Sequence, residues 1–102
     1  MGATMGSNVK SADFLMASRM RDAARGDANA LYDLGVTYST GTNGRAVDLI
    51  EAHKWFNLAA VAGLRSAQDA RAEIAEDMSA REIAEAQRQA RAWLGVSRAR
   101  AA

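Results

Sequence analysis

The chain has 102 residues and a mass of 10.9 kDa, with 13 basic and 12 acidic side chains and a formal net charge of +1. That length allows one small domain, burying roughly 65% of its unfolded surface. The near-balance of charge argues against a dedicated nucleic-acid binder or a strongly membrane-attracted surface, and the absence of cysteine excludes disulfides, thiolate metal sites and thiol nucleophiles. With no proline and 24 alanines, the chain reads as helical throughout. Residues 1–10 lack the apolar core of a signal peptide and are expected to be disordered. Ser11 and Asp13 predict the cap of a first helix that ends near Arg25, with Gly26 as its terminator. Asp27 opens a second helix, whose apolar stripe of Ala30, Leu31, Leu34, Gly35 and Tyr38 has a period of about 3.6 residues. The segment Ser39–Val47, with two glycines and an asparagine, predicts a loop.

Asp48 and Glu51 form a capping-box-like pair for a third helix, with Ile50, Ala52, Trp55, Phe56, Ala59 and Ala60 on its apolar face and Gly63 at its end. Ser66 with Asp69 repeats the pattern for a fourth helix, with Ala67, Ala70, Ile74 and Met78 turned inward. Ser79 with Glu82 is the clearest capping box in the chain. It opens a fifth helix, predicted over 80–94, with Ile83, Ala86, Ala90, Trp93 and Leu94 on one side and Gly95 as its stop. Residues 96–102 read as a frayed basic tail, leaving 11–95 as a single domain. No segment alternates at strand period, so the expected class is all-α. The longest apolar run, Leu58–Leu64, falls far short of the roughly 20 residues that span a bilayer, so a cytoplasmic chain with no membrane segment is expected. The core is expected to hold Leu31, Leu34, Gly35, Tyr38, Ala52, Trp55 and Phe56, completed by Ala59, Ala60, Gly63, Ile74, Ile83 and Trp93.

The segment from Ala23 to Ala30 returns as Ala60 to Ala67, an offset that superposes Gly26 on Gly63 and Ala30 on Ala67. A repeat of two helices in the thirties of residues is the mark of a helical solenoid. The positions Ala30, Leu34, Gly35, Tyr38 and Gly41, followed by Gly44, Asp48, Ala52, Trp55, Ala59, Ala60, Gly63 and Ala67, resemble the Sel-one-like repeat, a relative of tetratricopeptide repeats. The likeness spans one full unit, residues 28–63, with half-units on either side. Residues 78–87 look like the closing helix that follows such repeats in bacterial proteins. Two features depart from the family: the loop between Gly41 and Gly44 is one residue longer, and Arg45 stands where valine is usual, so the usual apolar plug is missing unless Val47 substitutes.

The resemblance implies a short right-handed α-solenoid of helix-turn-helix units with a C-terminal capping helix. It implies a non-enzymatic bacterial adaptor or regulatory scaffold that presents a groove to a peptide or helix of another protein. In that architecture the first helix of each unit lines the groove, so Asn29, Tyr32, Asp33 and Val36 are the expected partner-binding residues, with packing of Tyr32 and Val36 on the N-terminal helix as the other reading. With so few units, a structural homo-oligomer without a separate ligand is the alternative.

The remaining polar features read as structural. His53 has no orienting carboxylate on its face and no companion metal ligands, and it is expected to be a surface or half-buried structural residue. Gly41–Gly44 lacks the Lys-Ser/Thr of a phosphate loop and reads as a helix-helix turn. Glu85 sits three residues before Arg88, at salt-bridge spacing on a solvated face. Arg88, Arg91, Arg98 and Arg100 make the C-terminus locally basic, read as a solubilising tail. Ser18, Ser39 and Ser66 have no base at motif spacing, so neither catalysis nor a cofactor is expected.

Overall fold

A helix starts where something accepts the free N–H groups of its first turn and stops where its last carbonyls find donors. The computed structural model describes residues 2–42 and 44–101; Met1, Asn43, Ala102 and the side chains of residues 2–10, Arg98, Arg100 and Ala101 lie outside the described residues. Five helices follow one another: α1 (Gly2–Ala24), α2 (Ala28–Thr40), α3 (Leu49–Val61), α4 (Arg65–Ala75) and α5 (Ala80–Ala101). There is no strand among the described residues, and no described helix is long and apolar enough to cross a membrane.

Three of the starts follow from side chains. The Asp27 carboxylate accepts from the Asn29 and Ala30 amides at 2.9 and 3.1 Å and opens α2. Asp48 accepts from the Glu51 amide at 3.1 Å and opens α3. At α5 the box is reciprocal: the Glu82 amide donates to Ser79 Oγ at 3.1 Å, and the Ser79 amide donates to Glu82 Oε1 at 2.8 Å. The half-box at α3 is different, because Glu51 turns away to receive Trp55 Nε1 at 2.9 Å and Lys54 Nζ at 3.0 Å.

Other boundaries differ from the sequence reading. The α1 helix begins at Gly2, so Ser11 and Asp13 lie inside it instead of capping it, and residues 2–10 are helical backbone. Likewise α5 runs through Gly95 to Ala101. A glycine costs a helix interior only about 1 kcal/mol, and no proline is present to enforce a stop. The start of α4 is Leu64, with no side-chain cap; Ser66 sits within its first turn, and Met78 lies beyond its end at Ala75.

The stops after α1 and α3 share one geometry. Gly26 and Gly63 have φ of 84° and 103°, a left-handed backbone open to glycine without steric cost. In the first turn the Gly26 amide donates to Ala23 O and the Asp27 amide to Asp22 O; in the second, Gly63 donates to Ala60 O and Leu64 to Ala59 O. Both are Schellman closures. The two turns thus close with the same pattern of backbone hydrogen bonds.

Successive helices pack on one another from α1 to α4, and α5 returns to pack on α3. The molecule measures 45 × 37 × 22 Å, about two helix diameters thick. Leu34 and Leu58 are enclosed at its centre, and Met16 and Ala23 of α1, Ala67 of α4, and Ala86 and Ala90 of α5 reach in from either side. α2 and α3 approach closely, with the Phe56 ring lying directly on the backbone at Gly35. Thr37, also buried, donates to Asp33 O at 2.9 Å and accepts from Arg19 Nη1 at 3.4 Å, tying α1 to α2.

Of the expected core, Leu31, Leu34, Gly35, Ala52, Trp55, Phe56 and Ala59 are buried, whereas Tyr38, Ala60, Ile74, Ile83 and Trp93 are half-buried. Gly63 is exposed; its part is conformational, since a residue in a turn between helices faces water.

Candidate functional site

Sandwiched between α1 and α3, α2 keeps one face outward. Asn29 and Asp33 are exposed on it, and Tyr32 and Val36 are half-buried at its edge. The Tyr32 ring rests on Phe56 with centroids 5.3 Å apart and planes inclined at 52°. Because Phe56 is itself seated on Gly35, Tyr32 is held by a stack of rigid groups, while its own outer side meets water.

An apolar concavity lies elsewhere. A cleft of about 460 Å³ opens between the two Schellman turns and the second half of α5. Leu31, Leu58, Trp93 and Leu94 form its walls, with Arg25 and Ser97 as its polar members. Sequence reasoning missed it, because its lining brings together the ends of α1 and α3 and the second half of α5, residues far apart in the chain. Trp93 separates this cleft from a second hollow of about 330 Å³ beside Lys54, Arg88 and Val96. The Trp93 ring meets Trp55 edge-to-face, 4.9 Å between centroids at 78°. Over the Trp55 ring lies Lys54 Nζ, 4.6 Å from the centroid.

On the α5 surface, Arg88 Nε donates to Glu85 at 2.8 Å, and Gln89 joins it, holding the Glu85 carboxyl down at about 2. Glu85 and Arg88 lie on the solvated side, as their spacing implies. Among the described residues no three of His, Cys, Asp and Glu come together as a metal site would require.

His53 departs from expectation. It is only 3% exposed, and its Nδ1 has no hydrogen-bond partner among the described residues. Burial, reinforced by the Arg71 guanidinium on α4, pushes its pKa below the ordinary value. The folded state therefore resists a proton that the unfolded chain accepts near pH 6.5, and stability falls as pH drops below that point, by at most about 1.4 kcal/mol per pH unit. Urea unfolding at pH 7.5 and 5.5 is expected to show a lower midpoint at the acid pH. His53→Leu should flatten that difference, and an unchanged pH dependence in the variant would assign the effect to other groups.

No family model matches the chain, and neither the curated proteins nor the solved structures show a significant similarity to it.

Proposed function

We propose that this chain is a non-enzymatic protein-interaction module, a short right-handed stack of helical hairpins of the Sel-one-like kind. In this reading it serves as a cytoplasmic bacterial adaptor and binds a peptide or helix of a partner protein on the outward face of α2. The observation that carries the reading is the seating of Tyr32: an aromatic ring backed by Phe56, next to Val36 and rimmed by exposed Asn29 and Asp33. Interaction hot spots favour such an arrangement, because a rigid tyrosine loses little conformational freedom on binding and a polar rim excludes water around it. The matching turns at Gly26 and Gly63 support the repeat architecture, since each closes a hairpin unit in the same way.

The test is affinity capture from the native host with the tagged chain, compared with two variants. Tyr32→Ala with Val36→Ala should lose the captured partner while keeping a cooperative melt, its melting temperature lowered by roughly 10 °C or less. Asp33→Arg, at an exposed position, should weaken capture with no change in melting. If the double variant loses cooperative melting, these side chains belong to the core and the assignment fails.

A further inference from the structure

We propose that the cleft between the two Schellman turns takes a second copy of this chain, seating Phe14 and Leu15 of α1 from the other molecule. Phe14 is 69% exposed and Leu15 46%. Met16 and Ala23 of the same helix face the core; at 100° per residue Phe14 projects nearly opposite them and Leu15 to the flank. Large apolar groups left this open favour burial in a contact, and two adjacent ones form a projecting knob.

The cleft is a matching hole. It has about 460 Å³ of space, walled by Leu31, Leu58, Trp93 and Leu94, and Val61 at its lip is 60% exposed. The knob cannot enter the cleft of its own molecule. Phe14 and Ala23 are nine residues apart on one rigid helix, which is about 13 Å of rise, and they occupy opposite sides of it. Charge gives the pairing its direction. Asp13 is exposed beside the knob and Arg25 is exposed in the cleft wall, and neither forms an ion pair among the described residues. Seating the knob brings this acid to this base. Because knob and cleft are different surfaces, the contact is heterologous, and each molecule offers one of each.

This contact uses a surface separate from the α2 face, so the two assignments stand or fall independently. The experiment is sedimentation of the full chain from micromolar to millimolar concentration, with circular dichroism to verify folding. The wild type is expected to self-associate with rising concentration. Phe14→Glu removes the knob and Val61→Glu charges the lip of the cleft; each should weaken self-association at least about thirty-fold. An equimolar mixture of the two variants should then form a one-to-one complex, since one retains the cleft and the other the knob. Arg25→Glu should weaken association in the same way, and adding Asp13→Arg should restore it. Val47→Glu, at an exposed valine that does not line the cleft, and the Tyr32→Ala, Val36→Ala double variant should associate as the wild type does. A wild type that stays monomeric throughout, or variants that fail to complement each other in the mixture, overturns the proposal; the former outcome leaves the cleft to a partner of another kind.

Discussion

Trp55→Ala is expected to cost about 3–5 kcal/mol of folding stability, the largest single effect in this chain. The side chain is almost wholly buried in α3, and three separate interactions meet on it. Its indole N–H donates to Glu51 at 2.9 Å, its ring meets Trp93 edge-to-face at 4.9 Å, and Lys54 lies over its face at 4.6 Å. Truncation to alanine leaves a cavity between α3 and α5 and frees Glu51 to keep only its ion pair with Lys54. A domain of this size has about 5–15 kcal/mol in total, so the variant should be partly unfolded at moderate urea. Urea titration followed by circular dichroism reads the loss directly. Trp93→Ala alone should cost less, because that ring is only half-buried, and a double-mutant cycle between the two should return a coupling of about 0.5–1.5 kcal/mol. A loss below about 1 kcal/mol for Trp55→Ala would mean that α5 is not anchored through this pair.

The second large effect is expected at Gly35. A methyl group there would overlap the Phe56 ring, reaching within 2.9 Å of Cγ and closer still to Cδ1 and Cε1. Alanine normally improves a helix interior over glycine by about 1 kcal/mol. Here the overlap reverses the sign: Phe56 is buried and cannot swing clear, so α2 and α3 must separate. A net loss of about 1–3 kcal/mol is expected, with a larger one for Gly35→Val. Combining Gly35→Ala with Phe56→Leu should recover part of the loss, since a narrower side chain leaves room for the methyl. The same substitution should disturb Tyr32, whose ring rests on Phe56, so partner capture through the α2 face should weaken along with stability. A Gly35→Ala variant as stable as the wild type would show that helix propensity, not the approach of α3, governs this position.

Local chemistry made most of the helix starts legible. Asp27, Asp48 and the Ser79–Glu82 pair cap as their spacing implies, because a cap is a contact among residues two or three apart and needs no tertiary context. Gly26 and Gly63 stop their helices for the same reason, but Gly95 does not, and no residue nearby distinguishes it. What differs is that a left-handed C-terminal residue is followed, at Gly26 and Gly63, by an amide that closes on the carbonyl five positions earlier. The outward face of α2 was also readable, since a helix with one apolar stripe exposes the rest.

Composition, spacing and periodicity settle the all-helical class and the order of the elements, and they pick out the buried Leu31, Leu34, Ala52, Trp55 and Phe56, but not Leu58 and His53 of α3, which are buried as well. Only packing in three dimensions decides the rest: that α5 lies on α3, that the ends of α1 and α3 and Trp93 enclose a cleft, and that His53 is buried near Arg71. Those features come from residues far apart in sequence. Their contact depends on which ridge of one helix meets which groove of another, a choice made by the volumes of glycine, alanine and aromatic side chains acting together.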